Sequence, residues 1–171
     1  FSDTGPSKLK PLPMAIILQH LRAFLGDWEK TFSIKLNFEY PLTLPSVMGN
    51  IDYFEHIFLN LLNNARDSIR NSKKATEGEI NIKLSSQNMV NGKPHIFIDV
   101  QDNGPNIDKA TARNMFDPFF TTKGVGEGTG LGLSIVFGLV KRMNGNISFD
   151  PGSKSFRLEF EALRNEENEK P

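Results

Sequence analysis

Apolar residues recur at steps of three and four residues in the N-terminal part of the chain. This pattern predicts an amphipathic helix over about residues 14–31. After the helix, apolar and polar residues alternate over residues 34–40, which predicts a strand with one buried face. Pro41 and Pro45 follow, and we expect them to end the strand, because proline removes a backbone donor.

A second helical pattern is longer and has two distinct faces. It predicts a helix over about residues 51–74. Two strand-like runs follow, at residues 80–86 and 95–101, and the Asn91-Gly92 pair between them is typical of a β-hairpin. The apolar face of the helix consists of Ile57, Phe58, Leu61, Leu62, Ala65 and Ile69.

The C-terminal part begins with a long segment, residues 102–130, that is rich in Gly, Asn, Asp, Pro and Thr. Such a long loop is often functional. A helix is predicted next over about residues 130–143, followed by strands at residues 146–150 and 155–162. Helices that cover one face of a sheet form two layers. We therefore predict an α/β two-layer sandwich, in which about three helices cover one face of a mixed, mostly antiparallel sheet.

The same pattern divides the chain into one domain and two flanking segments. Residues 1–13 contain three prolines and little periodicity, so we expect a linker there. Residues 164–171 are charged, and we expect them to be disordered. The folded domain is expected over residues 14–163, because 38% hydrophobic residues in a chain of this length suffice for one core.

Charge balance and the absence of cysteine narrow the classes of function. Lys plus Arg number 20 and Asp plus Glu number 20, so charge favours neither a nucleic acid nor an anionic membrane as a partner. The chain has no cysteine, which excludes a disulfide scaffold and a cysteine-based metal site. No apolar run approaches the roughly 20 residues that span a bilayer. We expect a cytoplasmic domain without direct membrane contact, and a membrane anchor elsewhere in a longer protein stays open.

Four polar residues share one stripe of the second predicted helix, away from its apolar face. They are His56, Asn60, Asn64 and Asp67. An asparagine carbonyl oxygen is a hard, neutral ligand that suits Mg²⁺ together with phosphate oxygens and water. The alternative is an ordinary solvent-facing stripe, which most amphipathic helices have.

The segment that follows the third predicted strand opens with Asp102. Its carboxylate at a strand end can accept from an exocyclic amine, such as that of adenine. Gly104 has no Cβ, so a flat ring can approach the backbone there. The alternative is a common Asx turn.

Residues 116–123, FDPFFTTK, combine aromatic residues with a cation. The aromatic side chains can anchor a lid by burying their rings beneath it. Lys123 is a flexible cation that suits a polyphosphate. The alternative is a loop that is simply fixed to the core.

Alternating glycines precede the last predicted helix. They free backbone N–H groups to face phosphate oxygens, with the positive end of a helix behind them. The GxGxxG and GxxxxGK[ST] patterns are both absent, which excludes a Rossmann fingerprint and a P-loop. The alternative is a flexible linker. The glycines are Gly124, Gly126, Gly128, Gly130 and Gly132.

Taken together, four segments resemble the motifs of one family. HIFLNLLNNARDSI resembles the N box of the ATP-binding catalytic domain of sensor histidine kinases, and DNGPNI resembles its first glycine box. FDPFFTTK is similar to the F box, and GTGLGLSIV to the second glycine box. The resemblance covers roughly residues 14–163 and implies the Bergerat ATP-binding fold of the GHKL superfamily, with ATP or ADP and Mg²⁺ as cofactors.

The resemblance implies a role for each matching residue. Asn64 would bind the Mg²⁺ that bridges the phosphates, and Asn60 would lie one turn back. Asp102 would hold the adenine amine, with Gly104 beneath the ring. Lys123 would reach the phosphates from a mobile lid, and with the two asparagines it forms the implied catalytic set. The other implied nucleotide-binding residues are Asp67, Asn106, Ile107, Phe116, Gly126, Gly128, Thr129, Gly130, Leu131, Gly132, Leu133 and Ser155.

Two positions bear on this reading. Asn106 stands where the first glycine box usually has a second glycine, and asparagine tolerates a positive φ better than other residues that have a side chain. Asn60 stands where gyrases, Hsp90-type chaperones and mismatch-repair proteins have a water-activating glutamate. Without that base, phosphoryl transfer is favoured over hydrolysis. The alternatives are a serine-type protein kinase or an ATPase of the same fold, and a non-catalytic module that docks partners.

The implied reaction transfers the γ-phosphoryl group of ATP to a histidine followed by an acidic residue, in a separate two-helix dimerisation domain. His20, His56 and His95 are each followed by an apolar residue, so none fits. We interpret residues 1–13 as including the end of that missing segment. The expected partners are the protein's own dimerisation helices and a response regulator receiver domain, with a monomeric fragment and a homodimeric whole protein. His56 is expected to be a polar helix position, with proximity to the acceptor as the alternative.

Overall fold

The computed structural model describes residues 8–72, 77–90, 92–124 and 129–163. These residues form helices and strands in the order β1 (Lys10–Pro13), α1 (Met14–Phe24), α2 (Trp28–Phe32), β2 (Ile34–Glu39), β3 (Ser46–Gly49), α3 (Ile51–Arg70), β4 (Gly78–Asn88), β5 (Pro94–Asp102), α4 (Lys109–Asn114), α5 (Gly132–Arg142), β6 (Asn146–Asp150) and β7 (Ser155–Glu161).

Five of the strands form a mixed sheet in the order β2-β4-β5-β7-β6. Strand β2 runs parallel to β4, and every other neighbouring pair is antiparallel. Alternate residues of the central strands are buried, as in the series Ile96, Ile98 and Val100 of β5. Helix α3 contacts β4 and β5, and α5 lies beside α3. The predicted two-layer sandwich with a mixed, mostly antiparallel sheet is confirmed.

Helix α3 is the longest helix among the described residues, and it divides the core from the polar residues. Its N-cap residue Asn50 accepts hydrogen bonds from the backbone N–H groups of Asp52 and Tyr53 at 2.9 and 3.2 Å. Its apolar positions recur every three or four residues, so they occupy one face and are buried. The buried residues of α3 are Phe54, Ile57, Phe58, Leu61, Leu62 and Ala65.

Residues 10–13 form strand β1, whereas the sequence predicted a linker. They pair in antiparallel fashion with residues 46–49, a second strand that the sequence analysis missed. Leu12 and Val47 are both buried in the core. Proline occurs at the edges of sheets, and prolines in and around these short strands hide their pattern.

Some predicted boundaries also shift. The first predicted helix breaks after Phe24, and the chain restarts as α2 beyond Gly26, a poor helix former. Helix α3 ends at Arg70, earlier than predicted, and residues 73–76 lie outside the described part of the chain. Helix α5 begins at Gly132, because Gly130 has a φ of +65° and does not continue a helix.

Two further predictions concern loops. Strands β4 and β5 pair in antiparallel fashion as predicted, although Asn91 of the expected hairpin pair is outside the described residues. The long segment 102–130 contains the short helix α4, which the sequence analysis missed. Asp108 caps this helix by accepting from the backbone N–H of Thr111 at 2.8 Å. The expected disordered tail also lies outside the described residues.

Within the described ranges, no helix combines the length and apolarity required to cross a bilayer.

Two glycines near the C-terminal end of the domain have opposite surroundings. A Cβ on Gly145 would lie 2.5 Å from Cε1 of the buried Phe160 and 2.9 Å from a backbone oxygen. A Cβ on Gly138, in the middle of α5, would meet nothing within 4 Å. Position 145 is therefore closed to a larger side chain, whereas position 138 is open.

We expect Gly145→Ala to lower the free energy of unfolding by about 1–3 kcal/mol, because the added methyl overpacks the ring of Phe160. Gly138→Ala is the matched control and should raise the free energy of unfolding by up to about 1 kcal/mol, because alanine is the better helix former. Urea unfolding at equilibrium measures both changes. A Gly145→Ala protein as stable as the native chain would contradict the packing described.

Candidate nucleotide-binding site

A cavity of about 610 Å³ lies between α3, the segment that follows β5 and the segment that leads into α5. Residues from three distant parts of the sequence meet there, because the polar side of α3 faces away from the core. Of the residues predicted for the site, those that line this cavity are Asn60, Asn64, Asp67, Asp102, Asn106, Ile107, Lys123, Thr129, Gly130, Gly132 and Leu133.

Asp102, the last residue of β5, presents a partly buried carboxylate at one side of the cavity. Its Oδ1 atom accepts hydrogen bonds from Ser68 Oγ at 3.0 Å and from the Gly104 backbone N–H at 2.8 Å. The hydrogen bonds that described residues make to this carboxylate all go to Oδ1. Oδ2 is therefore available to an N–H donor in the cavity, such as an exocyclic amine.

Burial raises the pKa of Asp102 above its ordinary value of 3.8. The hydrogen bonds from Gly104 and Ser68 and the positive charge of Lys154 oppose this effect without cancelling it. Asp102 thus combines restricted solvation with a fixed orientation.

Contacts within the protein require glycine at position 104. A Cβ at this position would collide with Ser68 Oγ and would lie 2.7 Å from Asp102 Oδ1. Gly104 is buried and is not among the residues that line the cavity. The contact that excludes a side chain is thus with α3, and the sequence-based reason, close approach of a flat ring, stays a prediction.

The N-terminal end of α5 faces the two asparagines of α3. Asn60 Nδ2 donates to the His56 carbonyl oxygen at 2.8 Å, and its Oδ1 lies on the side of Gly132. A Cβ on Gly132 would lie 3.1 Å from Asn60 Oδ1 and 3.9 Å from Asn64 Nδ2. Two carboxamides therefore adjoin the first backbone N–H groups of a helix, a combination that suits a cation held by anionic oxygens.

The carboxamides of Asn60 and Asn64 suit Mg²⁺ that is bound together with phosphate. The described residues contain no cluster of three or more His, Cys, Asp or Glu side chains that could hold a metal ion. The carboxamide oxygens of Asn60 and Asn64 are hard, neutral ligands, and Mg²⁺ commonly takes few protein ligands alongside phosphates and water. These two residues would hold the ion.

Lys123 forms an ion pair inside the cavity. Its Nζ atom lies 2.5 Å from Asp67 Oδ2, while Arg66 donates from Nε and Nη2 to Asp67 Oδ1 at 3.0 and 2.8 Å. Burial acts to raise the pKa of Asp67, but the hydrogen bonds and charges of Lys123 and Arg66 outweigh it, so the pKa is lowered. Asp67 is therefore an ionised carboxylate that already has two cationic partners.

The segment between α4 and α5 is fixed at both ends. The Phe116 ring packs against Phe137 and Phe156, with centroid distances of 6.1 and 6.3 Å. The Phe119 backbone N–H donates to the Gly130 carbonyl oxygen at 2.9 Å, and a Cβ on Gly130 would lie 2.5 Å from the Phe119 carbonyl carbon. Glycine at 130 is required both by this approach and by its positive φ.

Several predicted residues have other positions. Phe116 anchors the segment and does not line the cavity, and Leu131 precedes α5 as its N-cap. Ser155 is buried, and its hydroxyl contacts Ser153 Oγ at 2.7 Å. Gly126 and Gly128 lie outside the described residues.

Asn106 lines the cavity but does not have a positive φ. The backbone there accordingly makes no demand for glycine, and the tolerance that we expected of asparagine is not needed. His56 is exposed, and its backbone carbonyl is the acceptor for Asn60.

Two residues that the sequence analysis did not identify hold Asp102 and Gly104 in place. Ser68 follows Asn64 by one helical turn, so the spacing i, i+4 could have identified it. Lys154 donates from Nζ to the Gly104 carbonyl oxygen, although 50 residues separate them in the sequence. No local pattern could have indicated that contact.

The chain matches the family described as histidine kinase-, DNA gyrase B-, and HSP90-like ATPase over residues 49–164, and it belongs to this family. Sensor kinase CckA of Brucella abortus (strain 2308) is 34% identical over 155 residues, which are 88% of this chain and 16% of that protein. Sensory histidine kinase/phosphatase NtrB of Azospirillum brasilense is 35% identical over 161 residues, with coverages of 88% and 38%.

Comparison with solved structures gives the same family of folds. The catalytic domain of histidine kinase ThkA, in a nucleotide-free form, superposes with a TM-score of 0.69 at 24% identity, covering 91% of this chain and 96% of that one. The superposition shows the fold, and the family match together with the curated relatives shows the ATP-binding catalytic domain of a sensor kinase. It spans well under half the length of the two curated relatives named above.

We expect Lys123→Met to lower the free energy of unfolding by up to about 1 kcal/mol at neutral pH, because Asp67 loses a cationic partner. Since the pKa of Asp67 is lowered in the folded state, this contribution is present above its ordinary value of 3.8 and is lost as the pH falls through the lower folded value.

Urea unfolding of the native chain and the variant, from pH 7 to the acid range, measures this difference. Lys30→Met is the matched control, because Lys30 is 86% exposed and lies 4.0 Å from its acidic neighbour. If the difference in the free energy of unfolding between the native chain and Lys123→Met kept its neutral-pH value below pH 3.8, the assignment would be contradicted.

Proposed function

We propose that this domain binds ATP with Mg²⁺ and transfers the γ-phosphoryl group to a histidine on a separate dimerisation domain, as the catalytic step of two-component signalling. The observation that carries the proposal is the orientation of Asp102, whose Oδ2 is available in the same cavity as the N-terminal end of α5. A nucleotide has an amine at one end and phosphates at the other, and the cavity offers an acceptor and a helix N-terminus.

In this proposal each of the main cavity residues has a defined role. Asp102 accepts the adenine amine, and the backbone N–H groups near Gly132 receive phosphate oxygens. Asn60 and Asn64 would hold Mg²⁺, which would neutralise charge on the phosphates. Lys123 leaves its ion pair with Asp67 and contacts phosphate oxygens instead. In the transfer, a histidine nitrogen bonds to the γ-phosphorus as the bond to the bridging oxygen of ADP breaks.

In the described part of the chain, none of the carboxylates that line the cavity is placed to activate water, which favours transfer to an acceptor over hydrolysis. Asp67 is paired with Lys123 and Arg66, and Asp108 caps α4 through Thr111. Asp102 lies on the side proposed for adenine. Among the described residues that line the cavity, no further carboxylate is present to activate water beside Asn60. The same-fold ATPase is therefore the less favoured alternative, and a serine-type kinase would differ only in the acceptor.

The nucleotide site is tested by calorimetric titration with ATP and ADP, with and without Mg²⁺. We expect Asp102→Ala to abolish measurable binding, because the adenine amine loses its acceptor. Asp99→Ala is the matched control on the same strand, since Asp99 pairs with Arg157 and does not line the cavity. Loss of binding in Asp99→Ala, or full binding by Asp102→Ala, would overturn the adenine assignment.

The metal assignment has a separate expected outcome. Asn64→Ala should reduce the gain in ATP affinity that Mg²⁺ provides, by about tenfold or more, while leaving the Mg²⁺-free affinity nearly unchanged. The same titration measures both quantities. An equal loss with and without Mg²⁺ would assign Asn64 to the nucleotide instead of the metal.

The transfer reaction is tested by incubating the chain with radiolabelled ATP. We expect no phosphohistidine on the chain alone, since His20, His56 and His95 are each followed by an apolar residue. Labelling should appear when a two-helix segment with a histidine followed by an acidic residue is added, and should pass on to a response regulator receiver domain.

Two results of that experiment would contradict the proposal. Phosphohistidine on the isolated chain would place the acceptor here, and fast steady-state ATP turnover without acceptor would identify an ATPase. We further propose that the chain is monomeric by itself, that the whole protein is a homodimer through its dimerisation helices, and that this domain works in the cytoplasm.

A further inference from the structure

The turn between β6 and β7 is joined to the segment that carries Asp102. Lys154 Nζ donates to the Gly104 carbonyl oxygen, so the turn reaches the segment beyond β5. In the opposite direction, Gln101 Nε2 donates to the Ser153 carbonyl oxygen at 2.5 Å. Two side chain–backbone hydrogen bonds thus connect the turn with the residues on either side of Asp102.

Gly104 is held on three sides. Its N–H group donates to Asp102 Oδ1 at 2.8 Å, Ser68 occupies the space that a Cβ would fill, and its carbonyl oxygen accepts from Lys154. Ser68 and Gly104 are also the two donors that orient the Asp102 carboxylate. A displacement of Gly104 would therefore rotate or release that carboxylate.

The backbone conformation at position 154 is unfavourable for lysine. Its φ is +56°, in the left-handed region that residues other than glycine adopt at some cost. The turn is maintained by Asp150, whose side chain accepts from the Gly152 backbone N–H at 2.9 Å and from Ser153 Oγ at 2.6 Å. Glycine would suit this backbone better, but it would lack the amine that donates to Gly104.

We propose that Lys154 is a positioning residue for adenine recognition, which holds the Gly104 carbonyl so that Asp102 presents Oδ2 to the exocyclic amine of the nucleotide. Lys154 is not among the residues that line the cavity, so it acts through Gly104 and Asp102 without contacting the nucleotide. This inference rests on the nucleotide site proposed above.

The charge of Lys154 acts in the same direction as its hydrogen bond. It lowers the pKa of Asp102 against the larger effect of burial, which favours the carboxylate that an amine requires. The other charged groups of the cavity are Asp67, Asp108 and Lys123, and Asp67 and Lys123 form a pair. Among the described residues, Lys154 is the cationic side chain whose charge lowers the pKa of Asp102.

The test compares Lys154→Met, Lys154→Arg and Lys154→Gly with the native chain and with Lys30→Met as the control for loss of an exposed positive charge. Calorimetry with MgADP measures affinity. Carbon NMR of the Asp102 carboxyl group in the nucleotide-free protein measures the pH midpoint of its titration. Thermal unfolding measures whether each variant is folded.

We expect Lys154→Met to weaken MgADP binding about tenfold, because a misplaced Asp102 carboxylate weakens its hydrogen bond to the adenine amine, and a hydrogen bond to a charged group contributes about that much. The midpoint of the Asp102 titration should move to higher pH. Lys154→Arg should keep most of the affinity. Lys154→Gly should unfold at a higher temperature than Lys154→Met, because glycine adopts a positive φ freely, without recovering affinity.

A Lys154→Met protein with native affinity and a native Asp102 midpoint would overturn the inference, as would native affinity in Lys154→Gly. If the native chain binds MgADP and Asp102→Ala does not, such a result refutes the role of Lys154 alone. If the native chain does not bind MgADP at all, the proposed nucleotide site fails, and the positioning role fails with it.

Discussion

The site depends on the burial of one face of α3 against the sheet. The apolar residues of this helix, among them Phe54, Phe58 and Leu62, are almost inaccessible to solvent, and Phe54 meets the ring of Phe160 of β7 at a centroid distance of 5.3 Å. A helix that buries so complete an apolar face has little rotational freedom, because a turn about its axis would expose that face. The polar residues opposite are thereby fixed toward the cavity, and Asn60, Asn64, Asp67 and Ser68 all line it from this one helix.

Two carboxylates in the cavity show how neighbouring groups set different electrostatic states. Burial dominates at Asp102 and raises its pKa, whereas Lys123 and Arg66 outweigh burial at Asp67 and lower its pKa. Asp102 keeps an acceptor atom available, while Asp67 is saturated by cations. The ion pair also links α3 to the segment before α5. Phosphates that attract Lys123 would therefore compete with Asp67, so nucleotide binding and the position of that segment are coupled in the proposed function.

Much of the fold could be predicted because its helices and strands have regular periods. The buried face of α3 adds Phe54 to the predicted apolar face and leaves the predicted Ile69 only half-buried. The alternation in β5 and β7 indicated a half-buried sheet. Strands β1 and β3 were missed because each has four residues beside prolines, which is too short for a period to appear. Helix α4 was missed for a similar reason, since its signal is a single capping residue, Asp108, in a polar segment.

The sequence by itself determined which chemical groups the site would contain, because motifs such as NLLNNARDS and DNGPNI each occupy one helix or one strand end and can be recognised locally. Only the tertiary structure decided how these groups are used. It pairs Lys123 with Asp67, packs Gly104 against Ser68, and brings Lys154 to Gly104 across 50 residues of sequence. The physical reason is that hydrogen bonds and ion pairs depend on distances of a few ångströms between side chains, and sheet order and helix packing set those distances.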